Sequence, residues 1–127
     1  STQDLFFQPC ETINVYADKV KINHVISNLL NNAVKYSPNG VHIEIRCEHK
    51  NGFAQVSIKD QGIGIPPEDQ PNLFERYYRV QNQNTKHISG FGIGLYLSSE
   101  IVKAHQGKIW VESSVGDGST FYFTLPV

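Results

Sequence analysis

The chain has 127 residues, of which 39% are hydrophobic and 18% charged, with a net charge of −1. That is one domain's worth of a globular protein, able to bury a core without disulfides or metals, and the near-neutral charge excludes an electrostatic case for nucleic acid or an anionic membrane. No apolar run approaches the roughly 18 residues of a membrane span, and no signal peptide opens the chain, although either could lie in a preceding part of a longer protein.

In chain order, residues 1–9 read as a leader with Leu5, Phe6 and Phe7 docking on the core, so that residues 1–11 belong to a preceding region and 12–127 to the domain. Residues 12–17, with Ile13 and Val15 apolar, read as an edge strand. Asp18 is a plausible N-cap. From residue 19 to 36 the apolar positions Ile22, Val25, Ile26, Leu29, Leu30 and Ala33 follow helical periodicity, and Ser37-Pro38-Asn39-Gly40 stops the helix. Val41, Ile43, Ile45 and Cys47 then alternate with polar residues, as in a half-buried strand. Asn51-Gly52 signals a hairpin turn, because both positions favour φ > 0, and the return strand puts Ala54, Val56 and Ile58 on one face. Cys10 and Cys47 form neither a disulfide framework nor a CxxC zinc motif. Both lie among apolar residues and read as buried free thiols of a reducing compartment.

A Gly- and Pro-rich stretch at 62–67 precedes a short helical stretch at 72–78. Residues 81–89 are polar and read as a mobile loop. Glycines at 90–94 lead into a second long helix through Ile101, Val102 and His105, with Gly107 at its C′ position. Ile109 and Val111, then Phe121, Phe123 and Leu125, mark two closing strands around a turn at Gly116-Asp117-Gly118. The pattern predicts an α+β fold, a two-layer α/β sandwich with a mixed, mostly antiparallel sheet of about five strands and about three helices on one face.

Three clusters carry the chemistry. Asn28, Asn32, Lys35 and Tyr36 are spaced i, i+4, i+7 and i+8, so at about 100° per residue they share one stripe of the first helix, beside the apolar one. They are either a solvated face with satisfied amides, or oxygens and a cation facing a phosphate and its Mg²⁺, which needs only one or two protein oxygens. Asp60 continues the parity of Ala54, Val56 and Ile58, so it points to the buried face, where a carboxylate is costly unless hydrogen-bonded. With Gly62 and Gly64 opening space beside it, it is either a turn-capping residue or the acceptor for an exocyclic amine such as adenine N6. Finally, Gly90, Gly92 and Gly94 stand just before a helix, where backbone amides and the dipole favour an anion. Without a ligand they would be a hinge. The dinucleotide fingerprint, the Walker A loop and the protein-kinase HRD and DFG motifs are absent.

Together these segments resemble the catalytic domain of sensor histidine kinases, within the superfamily of gyrase-type topoisomerases, heat-shock chaperone ATPases and mismatch-repair ATPases. The resemblance runs from about residue 13 to 126 and rests on five boxes in the family's order: NLLNNAVKYS at 28–37, DQGIGIP at 60–66, LFERYYR at 73–79, GFGIGL at 90–95 and GDGSTF at 116–121. It implies ATP and Mg²⁺ as cofactors and transfer of the γ-phosphoryl to a histidine. Asn32 is implied as the main Mg²⁺ ligand with Asn28 as a second polar contact, also counted with Arg79 as catalytic. Lys35 and Tyr36 would approach phosphate and nucleotide, Asp60 would read adenine N6, and Gly62, Gly64 and Ile65 would shape the base pocket. Arg79 would stand near the γ-phosphate, with Tyr77 in the same segment. Lys86 would be a cation of an ATP lid at 81–89, and Gly92, Ile93, Gly94 and Leu95 would bring backbone to the phosphates. Ser119 or Thr120 would supply a hydroxyl beside Asp60.

The sequence departs from a full kinase: the acceptor segment, a His followed by an acidic residue and then Arg and Pro, is missing, and none of His24, His42, His49, His87 and His105 has that context, while Pro71 and Phe91 are less usual choices within their boxes. His105 instead reads as a capping or packing residue near a helix end. The implied partners are therefore a dimerisation and histidine-phosphotransfer domain of the same receptor and, indirectly, a response regulator. No nucleic acid and no direct membrane contact are expected, and the fragment is expected to be a cytoplasmic, bacterial monomer from a membrane-anchored parent. Two rivals stand beside this reading. ATP-hydrolysing clamps carry a general-base glutamate where this chain has Asn28, and the 73–79 segment fits an anti-sigma serine kinase less well. A nucleotide-binding or docking module without catalysis would be expected to have lost Asn32, Asp60 or the glycine boxes.

Overall fold

The computed structural model describes residues 4–7, 15–35, 42–75 and 94–127. Among them, five strands form one sheet in the order β1-β2-β3-β5-β4: β1 Asp4–Phe7, β2 His42–Lys50, β3 Phe53–Asp60, β4 Ile109–Ser114 and β5 Gly118–Pro126. β1 pairs parallel to β2, and every other pair is antiparallel. Two α-helices, α1 Lys19–Lys35 and α2 Gly94–Ala104, and a 3₁₀ turn Gln70–Asn72 stand where about three helices were expected.

The helices form as their sequences dictate. The Asp18 carboxylate accepts the Lys21 N–H at 3.1 Å, which caps α1. Val25, Leu29 and Ala33 then fall on one stripe and are fully buried, joined by Val102 of α2, Ile43, Ile58, Phe121, Phe123 and Leu125 from the sheet, and Ile65 and Leu73 from the connecting segment. Each large aliphatic side chain so buried contributes about 1.5–3 kcal/mol before the entropy of ordering is subtracted. The hairpin between β2 and β3 turns at Asn51 and Gly52, with φ 53° and 82°, as the dipeptide requires.

Four expectations are corrected. The sheet's edge is Asp4–Phe7, in the stretch read as a leader; Val15 to Ala17 lie outside any strand, and residues 12–14 lie outside the described residues. Over its described part the helical stretch expected at 72–78 is a 3₁₀ turn, Gln70–Asn72, followed by turns as far as residue 75, and residues 76–78 lie outside the described residues. Cys47 is in no disulfide among the described residues and is only half-buried, while Cys10 lies outside the described residues.

Gly107, finally, is not the C′ residue of α2. Gln106 takes the left-handed conformation there, at φ 60°, with Gln106 N–H bonded to Lys103 O at 3.0 Å and Gly107 N–H to Val102 O at 2.9 Å, the Schellman pattern. Glycine is needed at 107 for a different reason: a Cβ would lie 1.8 Å from the Thr124 carbonyl oxygen. His105 joins the two helices. Its Nε2 accepts the Asp18 N–H at 3.1 Å, so Nδ1 carries the proton and donates to Ile101 O at 2.8 Å.

Candidate nucleotide site

One row of side chains crosses the sheet at its glycine-rich end. Ile43, Asp60, Ser119 and Ser113 are successive register partners on β2, β3, β5 and β4. Asp60 is 2% exposed, as its parity requires. Its Oδ1 accepts the Gly62 N–H at 2.9 Å and the Ser119 N–H at 3.2 Å, and among the described residues no group bonds Oδ2. Burial pushes the carboxyl above 3.8, and the Gly62 and Ser119 amides pull it back in part. Asp60 therefore holds its own turn with one oxygen and presents the other as an acceptor.

The hydroxyls beside it form a directed chain. Ser113 Oγ accepts the Ile65 N–H at 2.8 Å and donates to Gly118 O at 2.9 Å. Its single proton is thus committed, so Ser119 Oγ donates across the 2.8 Å contact to Ser113 and keeps its lone pairs for a ligand. Of the two hydroxyls left open by the sequence, Ser119 is the one beside Asp60. Thr120 lies on the opposite face of the sheet, with Lys59 and Glu112 as its register partners.

The walls are brought close by glycine. Gly64, at φ 77°, and Gly118, at φ 86°, pass so near other backbone that a Cβ would lie 2.1 Å from Ser114 O and 2.1 Å from Asp60 O respectively. Gln70 holds the connecting segment down, its amide donating to Ile65 O at 2.9 Å and Ser113 O at 3.0 Å. Sequence reasoning missed Gln70, Ser113 and Ser98, because each acts through a partner far along the chain and carries no periodic signal.

A second group joins the helices. Asn28 Nδ2 donates to Gly94 O at 3.4 Å and Ser98 Oγ at 3.3 Å, tying the start of α2 to α1. Its carbonyl oxygen is left over. Asn32 is one turn on and half-buried, and its side chain makes no hydrogen bond among the described residues. Among those residues no cluster of three or more His, Cys, Asp or Glu could hold a metal. What this stripe offers is amide oxygen, which suits a hard cation that keeps waters and phosphate oxygens as its other ligands. Leu95 is half-buried against the core, Ile65 is buried, and Gly62 and Gly64 are buried beside Asp60. The backbone of Lys35 ends α1. Tyr36, Tyr77, Arg79, Lys86, Gly92 and Ile93 lie outside the described residues.

Comparison with known proteins gives the family. A family model described as histidine kinase-, DNA gyrase B- and HSP90-like ATPase matches residues 17–127. Sensor histidine kinase WalK of Bacillus subtilis is 42% identical over 93% of this chain, and adaptive-response sensory kinase SasA of Prochlorococcus marinus 45% over 94%. The chain spans only 20% and 31% of those two relatives. Among solved structures, a mycobacterial sensor histidine kinase, MprB, superposes with TM-score 0.80 at 29% identity, covering 98% of this chain and 80% of that one. The catalytic domain of histidine kinase ThkA gives 0.79 at 31% identity, covering 98% and 79%. ThkA is also similar in a structure with the response regulator TrrA, at TM-score 0.78 and 28% identity, covering 98% of this chain and 34% of that one. The chain belongs to the histidine kinase-, DNA gyrase B- and HSP90-like ATPase family and is a histidine kinase catalytic domain.

Proposed function

We propose that this domain binds Mg²⁺-ATP and delivers the γ-phosphoryl to a histidine on a dimerisation domain outside this chain. The observation that carries the reading is Asp60: a buried carboxylate with one oxygen held by two backbone amides and the other free to accept from the adenine N6 amine. Ser119 adds a hydroxyl beside the base, and Gly62, Gly64 and Ile65 form the wall.

The asparagines supply the other half. Asn32, and Asn28 through its carbonyl oxygen, would hold Mg²⁺, whose charge offsets that of the phosphates. Asn28 also fixes the start of α2, so that the amides there meet the phosphates with little reorganisation. Lys35, Tyr36, Tyr77, Arg79, Lys86, Gly92, Ile93 and Leu95 take nucleotide-facing roles by family resemblance. In the transfer the bond from γ-phosphorus to the β,γ-bridging oxygen breaks and a bond to a histidine ring nitrogen forms. ADP leaves with the electron pair. Such chemistry asks mainly for positioning and charge stabilisation. Asn28, in place of a glutamate, supplies no general base for water, which favours transfer over hydrolysis.

The partners are the receptor's own dimerisation domain and, after it, a response regulator. Among the described residues no helix is long and apolar enough to cross a membrane, and we place the domain in the bacterial cytoplasm by family resemblance. The test is calorimetry with a non-hydrolysable ATP analogue, with and without Mg²⁺, followed by addition of a dimerisation domain and detection of acid-labile phosphohistidine. Binding that depends on Mg²⁺ is expected. No binding at millimolar nucleotide would overturn the reading.

A further inference from the structure

A second cleft, of about 550 Å³, opens where the end of α2 meets the start of β4, and it shares no lining residue with Asp60 and its row or with the two asparagines. We infer that it is a binding site for a small amphipathic anion, one with an aromatic or aliphatic body and a single acidic group. Its size falls in the range of small-molecule sites.

Three features support this. The walls are apolar and held in place. Phe74 packs edge-on against Phe121, with ring centroids 6.3 Å apart at 85°, whereas Trp110, the register partner of Tyr122, stacks on that ring on the outer face of the sheet and only borders the cleft. Ile109 completes the apolar lining.

The second feature is Ser99. It lines the cleft and is 2% exposed, yet its hydroxyl has no hydrogen-bond partner among the described residues, whereas the neighbouring Ser98 is taken by Asn28. Buried hydroxyls are seldom left unsatisfied, so this one is poised for a ligand atom. The third is charge. Lys103 and Lys108 line the same cleft, and neither forms an ion pair among the described residues. Lys103 also suits the C-terminal end of the α2 dipole, but two unpaired ammonium groups beside an apolar cleft fit a ligand whose body is apolar and whose head is anionic.

Trp110 is the chain's one tryptophan, so energy transfer from it reports a bound dye, and the competitors and variants assign that dye to this cleft. The experiment titrates the folded chain with 1-anilinonaphthalene-8-sulfonate, then competes with decanoate, with decanol, and with an ATP analogue plus Mg²⁺. The expected result is saturable single-site transfer that decanoate abolishes and that decanol and the nucleotide leave in place. K103E/K108E should raise the apparent Kd by roughly tenfold, and S99L, which puts a larger side chain into the cleft, should abolish binding. A thermal melt checks that S99L folds, and the surface pair K103E/K108E keeps the test decisive if it does not. Absence of saturable transfer, displacement by the nucleotide, equal displacement by decanol, or unchanged affinity in K103E/K108E would overturn the assignment.

Discussion

Asp60 and Ser119 are register partners on β3 and β5, and the Ser119 amide donates to the same carboxylate oxygen, Oδ1, that the Gly62 amide reaches. One oxygen thus serves the protein and the other is kept for a ligand.

Asp60→Asn should therefore separate binding from folding. An asparagine has a single carbonyl oxygen, which can satisfy the two amides or accept from the adenine amine, but not both. ATP-analogue affinity should fall by about tenfold to a hundredfold, the worth of about 1.4–2.7 kcal/mol of lost hydrogen bonding, while the thermal midpoint changes little. Calorimetry and a melt on the same samples check this. Equal affinity in the variant would remove Asp60 from the site.

The same carboxyl sets a pH dependence. Its folded value is raised above 3.8 by burial. The folded state then binds the proton more tightly than the unfolded chain, so this contribution to stability is fully present below 3.8 and is lost as pH rises through the folded value. Relative to the Asp60→Asn variant, the wild type should lose stability over that window. Denaturation of both proteins across a pH series reads the difference, and a difference that grows the other way would contradict it.

Gly64 and Gly116 both have positive φ, at 77° and 87°, but only Gly64 is crowded. Gly116→Ala meets nothing within 4 Å and should cost about 1 kcal/mol, the left-handed penalty alone. Gly64→Ala adds a clash with the Ser114 carbonyl and should cost about 3 kcal/mol or more. Urea midpoints compare them. Similar losses would mean that the close approach of the two backbones is not a constraint.

Asn28 and Asn32 should also part company. The Asn32 side chain makes no hydrogen bond among the described residues, so Asn32→Ala should remove the Mg²⁺-dependent part of nucleotide binding at no cost in stability. Asn28→Ala breaks the bonds to Gly94 and Ser98 as well and should lose about 1–2 kcal/mol of stability besides. Melts with calorimetry at two Mg²⁺ concentrations distinguish the two outcomes.

The sequence by itself determined what local periodicity and turn chemistry can carry. α1 and its Asp18 cap, the Asn51-Gly52 hairpin, the burial of Asp60 by parity and the order of the boxes all follow from neighbours a few residues apart. The tertiary structure decided whatever depends on a partner far along the chain. Asp4–Phe7 became the edge strand because β2 offers it an unpaired edge. Ser119 rather than Thr120 stands beside Asp60 because the register of β3 and β5 fixes which face each residue takes. Gly107 is required by the Thr124 carbonyl and not by its own φ, and Gln70 and Ser113 gain their place only when the connecting segment folds onto β4. These are steric and hydrogen-bonding relations between distant segments, and chain closure brings their partners together.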